Sequence, residues 1–382
     1  MGVARAEPPR YRAQALLNGE VIASSDAAVR VDVADAAPVL WFPTAAANHD
    51  ALAALAPDAW RSGDNEHPDC IAFDHEQVEL VLIDGDDERD VTIKAFPTWG
   101  DATDLIDILD VRPDGGSRYR SEARSDWRRP VVEGSQILGQ AIVAAGRHAP
   151  GRRAVSASMV FTRAADARLP YTLELDEISG GRTFSALGVR ATQGGRTCAA
   201  GTVLVDVTAP DVIRHADPAP DVAGPYESTP YDMSVTGRDL RIVGDAYTGD
   251  PDAPTGPPEL SVWVRFREVP DDQAIHAGLL AQFTGHMSIA AALRPHAGIG
   301  QDQAHRSLST AINAISLSVH AKVRADRWML YHHRSTVARD GMTHAECRVY
   351  DETGAVIASF TVDAMVRAFA DPTASPDSRT AL

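Results

Sequence analysis

Two short stretches of this chain carry polar groups where a buried helix would begin or break. VEGSQILGQAIVAAG, Val132 to Gly146, opens with an acid, a glycine and a serine, and is then apolar around almost its whole circumference. Glu133, Gly134 and Ser135 stand at the start of this helix, where free N–H groups favour negative charge. A glutamate with no other role is stabilised there just as well. A phosphate loop is a poorer reading of VEGSQILGQ, because the GxxxxGKS/T pattern is missing and no clean strand precedes it. The second stretch, Asp272 to His296, has the same apolar character, and His286 interrupts it within FTGH. A lone histidine on an apolar face reads either as a satisfied core residue or as chemistry. Arg147, Arg152 and Arg153 lie in GRHAPGRR, after the first helix; they offer donors for a phosphorylated ligand or form a solvated turn. His332 and His333 fall on opposite faces of one strand, so at most one can enter a shared site. The thirteen histidines are dispersed, and Cys70, Cys198 and Cys347 have no CxxC spacing. Neither a metal site nor a disulfide scaffold is expected.

A helix that is apolar on all sides must be surrounded. After the first helix come AVSASMVFTR, YTLELDEIS, TFSALGVRATQ and TCAAGTVLVDV, with Gly180-Gly181 and Gly194-Gly195 at turns of an antiparallel meander. The plan repeats: strand LSVWVRFREV, a helix over 272–293, then AINAISLSVHAKV, RWMLYHHRSTVA, MTHAECRVYD and VIASFTVDAMVRAF. Helix followed by meander is an α+β pattern, not βαβ. A long antiparallel sheet wrapped around such a helix is a hotdog, and two in one chain predict a double hotdog with one shared sheet. A short helix in DATDLIDILDV, capped by Asp101 or Thr103, comes before it. The first 97 residues read as a small, mostly β domain: Asn18-Gly19 is a hairpin signal, AVRVDV alternates, and QVELVLID and DVTIKAF flank the acidic turn Gly85-Asp86-Asp87.

With 382 residues, two or three domains are expected. The divisions are 1–97, a first hotdog over 102–208, a proline-rich linker over 209–235, a second hotdog over 236–369, and a disordered tail over 370–382. Residues 1–10 read as a loose arm. The net charge of −17 argues against broad binding to nucleic acid or anionic membrane. No apolar run reaches the ~18 residues of a membrane helix, and no secretory h-region is visible, so a cytoplasmic location is expected.

EGSQILGQAIVAA, FTR and LPYTLELDEISGGRTFSALGVRATQGGR resemble the first half of the acyl-CoA thioesterase II family. RWMLYHHRSTVARDGMTHAECRVYDETGAVIASFTVDAMVR resembles its second half, so the likeness covers about 102–369. NGEVIASS with WFP is similar to a small uncharacterised β-tent domain, without that domain's cysteine-proline-lysine-glycine element, since Ile71 follows Cys70. The main resemblance implies hydrolysis of an acyl-CoA or related thioester in lipid metabolism, with no cofactor and no metal. It leaves a homo-oligomer open. It also implies an Asp, a Thr and a Gln that jointly hold the attacking water. Counting from Trp328 and Arg367, these positions are Ala314, Thr336 and Val362, and a one-residue slip offers Asn313 or Asp363. Two of the three positions are therefore apolar, and weak turnover of straight-chain acyl-CoA is expected unless other groups serve. Other hotdog thioesterases place an acid near such helices, which makes Glu133 the candidate base, with His286 second and Thr336 as the retained hydroxyl. Gly134 and Ser135 would bind substrate, and Arg147, Arg152 and Arg153 the phosphates of coenzyme A. The first alternative is a non-catalytic acyl-thioester-binding or scaffold protein. The second is hydration of an enoyl thioester, whose Asp/His pairing is not legible.

Overall fold

The computed structural model describes residues 5–7, 12–32, 39–74, 77–84, 91–94, 103–121, 131–231, 238–244, 246–247, 253–266, 269–304 and 307–369. The tail 370–382, Asp101, His305 and the turn at Gly85 lie outside the described residues.

Two helices form the centre. Helix α1 spans Gly134–His148, and every residue from Ser135 to Ala145 is buried, as an all-round apolar helix requires. Arg147 and His148 close its last turn, where the dipole favours cations. Helix α2 spans Gln273–Phe283 and is buried from Ile275 onward. The sequence reads one helix over 272–293, but the structure breaks it. Thr284 bonds back to the Ala281 carbonyl at 2.6 Å, and Met287 takes a left-handed φ of 69°. A second short helix, α3, then runs over Ser288–Leu293. Gly285 and the left-handed Met287 are the local cause, because a right-handed helix cannot pass through φ > 0.

Ten strands wrap these helices: β1 Arg153–Phe161, β2 Tyr171–Gly180, β3 Phe184–Gln193, β4 Arg196–Asp206, β5 Arg238–Ile242, β6 Glu259–Phe266, β7 Leu308–Val319, β8 Met329–Arg339, β9 Met342–Asp351 and β10 Val356–Ala368. They pair in the order β2-β3-β4-β1-β7-β10-β9-β8-β6-β5, extended at both edges by two-to-four-residue strands. The two halves join through β1 and β7, from Ser156 opposite Ser318 to Val160 opposite Ala314. One continuous antiparallel sheet therefore encloses both helices over a single hydrophobic core. This is a double hotdog of α+β class. Segment 209–231 is less loose than its proline content predicts. Trp263 Nε1 donates to the Ala223 carbonyl at 2.9 Å, and the Tyr226 and Trp328 rings meet edge to face.

The helices cross where side chains are missing. A Cβ on Gly139 would stand 2.6 Å from the Gly278 carbonyl oxygen, and a Cβ on Gly146 2.8 Å from Ala274 Cβ. Gly285 likewise meets Ser135, where a Cβ would lie 2.4 Å from its Oγ. The helices are thus antiparallel, with the start of α1 against the end of α2.

The N-terminal region is β-rich. Asn18 and Gly19, with φ of 52° and 84°, turn the hairpin between Arg12–Leu17 and Glu20–Ser25. Positive φ at both central residues is the type I′ geometry that this dipeptide favours. Its strands lie in a four-stranded and a five-stranded sheet with a separate core around Leu40, Phe42 and Ile71. Arg5–Glu7, read from sequence as part of a loose arm, instead pairs with Arg30–Asp32, because the extended arm completes that sheet edge.

Candidate active site

Glu133 and His286, far apart in the chain, meet at the start of α1. Glu133 is the N-cap residue, yet its side chain makes no capping bond to its own helix. Its Oε2 instead accepts from Gln282 Nε2 at 3.1 Å and lies 3.3 Å from His286 Nε2. Arg238 Nη1 donates to Gln282 Oε1 at 3.1 Å and lies 3.3 Å from the same histidine nitrogen. Gln282 and Arg238 are buried, whereas the Glu133 side chain is 36% exposed, so the carboxylate forms the open side of the group. Burial pulls the Arg238 guanidinium down to about 10, against the pull of the Glu133 charge. It remains a cation at neutral pH, set over the Phe283 ring at 5.2 Å. The His286 ring stacks on Phe283 with centroids 5.0 Å apart.

The two helix starts make a direct comparison. Asp272, the N-cap of α2, accepts from Ala274 N at 2.8 Å and so is spent on its own helix. Near it, His276 Nδ1 accepts from the Ala325 N–H at 3.1 Å. Only at the α1 end is the carboxylate turned away from capping and towards the other half. The N–H groups of Gly134 and Ser135 have no intrahelical partner and point out of that end. Gly134 is required there, because a Cβ would stand 2.8 Å from the Phe161 ring.

Phe161 leads to a residue that the sequence offered only as a slip. It follows Val160, which pairs with Ala314 on β7. A β-bulge lies between Ile312 and Ala314, and Asn313 is the extra residue. Ala314 shares its row with Val160 and Asp363, both more than half exposed, whereas Val362 is buried. Directly paired residues share a face, so Ala314 and Val362 point to opposite sides and cannot hold one water between them. The bulge inserts one residue into the strand, so counting along β7 does not by itself fix which face a position takes. Asn313 Oδ1 is enclosed and has no hydrogen-bond partner.

The other expected residues lie apart from this group. Thr336 is exposed, the extra residue of a second bulge, with Oγ1 3.4 Å from the His344 carbonyl. Three strand spacings separate β7 from β8, which puts it about 14 Å from Asn313. Arg147 closes the last turn of α1 and Arg152 and Arg153 follow it, about 22 Å from Glu133 along a helix of this length. Arg147 bonds Asp110 and the Val111 carbonyl, Arg152 reaches Ser185 Oγ at 2.9 Å, and Arg153 reaches Asp206 at 2.9 Å. Sequence reasoning missed Gln282 and Arg238. Gln282 had one signal, since it lies four residues before His286 and so on the same helix face; Arg238 opens a strand with no polar warning. Among the described residues no three candidate ligands gather for a metal, and no helix is long and apolar enough to cross a membrane.

Beneath α3, His333 is fully buried with Nδ1 3.1 Å from Ser288 Oγ and 3.2 Å from Cys347 Sγ. His332, on the other face, bonds Ser261 Oγ at 2.9 Å. Burial pulls His333 from 6.5 down to about 3 and pushes Cys347 up to about 12. An unfolded chain protonates His333 near pH 6.5, while the folded chain resists until about pH 3. The unfolded state binds the extra proton in that window, so stability is lost as pH falls below 6.5. Lowering the pH from 7 to 5 should cost about 2 kcal/mol through this residue. Urea midpoints of wild type and His333→Phe at the two pH values check it. Equal pH slopes in both proteins would refute the assignment.

Comparison with known proteins agrees with this architecture. A model described as the acyl-CoA thioesterase N-terminal domain matches residues 123–205, and one described as the acyl-CoA thioesterase C-terminal domain matches 210–366. Acyl-CoA thioesterase 2 of Haemophilus influenzae is 25% identical over 281 residues, covering 69% of this chain and 96% of that protein. Human acyl-coenzyme A thioesterase 8 is 25% identical over 268 residues, covering 61% and 80%. The solved TesB protein of Mycobacterium avium subspecies paratuberculosis has the same fold, with a TM-score of 0.59 and 21% identity over 70% of this chain and all of that one. The two matched domains together span well over half of the chain in the order that the sheet joins them, and the chain belongs to the acyl-CoA thioesterase II family.

Proposed function

We propose that this chain hydrolyses an acyl-CoA or closely related acyl thioester, with Glu133 as the group that activates water. The observation that carries this reading is the diversion of the Glu133 carboxylate from its own helix to Gln282 and His286 of the other half. A base must be held near the water it deprotonates and must be reachable. Glu133 satisfies both conditions, fixed by Gln282 and open on one side. His286 steadies the carboxylate, and the buried Arg238 cation balances its charge. The N–H groups of Gly134 and Ser135 supply donors for the oxyanion that forms as water adds to the thioester carbonyl. We assign to Asn313 Oδ1, enclosed next to Ala314 opposite Val160, the role of accepting a proton of the same water. The proton taken by Glu133 is then passed to the departing thiolate, which leaves as free thiol beside the carboxylic acid.

Thiol release from straight-chain acyl-CoAs of increasing length, using the purified full chain, tests this. Turnover above background is expected, and Asn313→Leu should lower it about tenfold or more as one water contact is lost. Ala314→Asp should not raise it, because that position faces outward. Binding of acyl-CoA without any thiol release would overturn the hydrolase reading in favour of a binding protein.

A further inference from the structure

His333 is a neutral imidazole deep in the second hotdog, and one of its nitrogens has no partner. Nδ1 faces Ser288 Oγ at 3.1 Å and Cys347 Sγ at 3.2 Å. Ser288 Oγ and the Cys347 thiol, which keeps its proton in this apolar setting, can both donate to the ring, and we take Nδ1 as its acceptor. The proton of a neutral imidazole then sits on Nε2. Nε2 is buried and makes no hydrogen bond. A donor left unmade in a protein interior is costly. The walls around it are aromatic. The Tyr331 ring stacks at 6.3 Å and Phe360 stands edge-on at 5.6 Å. Tyr331 in turn meets Phe283, on which His286 stacks. A continuous row of rings therefore runs from the Glu133 group to His333. An apolar wall with a single oriented donor is how small-ligand sites read one polar atom.

We infer that His333 Nε2–H reads an oxygen on the acyl group, so that the preferred substrate is a thioester whose acyl chain carries a keto or hydroxyl oxygen beyond the thioester carbonyl. This rests on the hydrolase reading above and narrows its substrate. A donor left unpaired by a plain alkyl chain penalises that chain, whereas an acceptor oxygen relieves it. Ser288 and Cys347 are positioning residues here, since they set which nitrogen carries the proton.

The test pairs straight-chain acyl-CoAs with keto- and hydroxy-substituted counterparts of equal length, the oxygen moved stepwise along the chain. At one position the oxygenated thioester should show at least tenfold higher kcat/KM than its plain partner. In His333→Phe that ratio should fall to near one while the plain substrate is still hydrolysed. Equal kcat/KM for every pair in the wild type would overturn the inference and leave the hydrolase reading intact. Failure to hydrolyse any thioester would instead sink the hydrolase reading. In that case, or if His333→Phe does not fold, the imidazole nitrogen signals of wild-type His333 decide. Non-hydrolysable 2-oxoalkyl-CoA thioethers, with and without the distal oxygen, are added. A shift of Nε2 with the oxygenated analogue alone supports the inference. The same response to both, or none, means that a buried water or nothing occupies the donor, and overturns it.

Discussion

Glu133→Gln should lower kcat for thioester hydrolysis by ~10²–10⁴, the range for losing an acid–base group. The substitution keeps shape and hydrogen-bonding reach but removes the negative charge that can accept a proton. Its effect should fall on kcat more than on KM, because the carboxylate acts on water rather than on the acyl chain. Asp272→Asn is the matched control. Asp272 occupies the equivalent N-cap of α2 but caps its own helix, so its loss should leave kcat intact while loosening α2. His286→Ala should also lower kcat, since His286 Nε2 sits 3.3 Å from the Glu133 carboxylate. Thiol release at saturating substrate reads all three variants, with circular dichroism to confirm folding. Unchanged kcat in both Glu133→Gln and His286→Ala would remove these residues from the mechanism.

A large stability effect is expected from Gly139→Val. The first added carbon already meets the Gly278 carbonyl oxygen at 2.6 Å, and that neighbour is backbone and cannot rotate away. The two central helices must separate, and overpacking of this kind costs about 3 kcal/mol or more. The same shift would draw Gln282 and His286 away from Glu133, so turnover should fall together with the urea midpoint. Gly19→Ala makes the contrast. Nothing lies within 4 Å of a Cβ there, and only its φ of 84° is strained, so the loss should be about 1 kcal/mol and activity should be untouched. A Gly139→Val protein that unfolds at the wild-type urea concentration would show that the crossing tolerates separation.

Much of the fold was legible because its signals are local. An all-round apolar helix followed by alternating strands recurs in both halves, and each pattern depends only on neighbours within a turn or a pleat. Asn18-Gly19 named its hairpin for the same reason, whereas the break at FTGH was not read and one helix over 272–293 was expected. Which histidine would meet which acid was another matter. Glu133 and Asp272 look alike as acids before apolar helices, and nothing in their spacing tells that one caps its helix and the other reaches across to Gln282. That choice depends on the antiparallel crossing at Gly139 and Gly278, which brings the start of α1 to the end of α2. The bulge at Asn313 is equally invisible to counting. A strand alternates with period two only until one extra residue is inserted, and the pairing with β10, not the local sequence, decides where that residue goes. Local periodicity thus determined the helices, the strands and the presence of polar groups at helix ends. The tertiary structure alone decided which of those groups share a site, because backbone approach and strand register are set by partners far away in the chain.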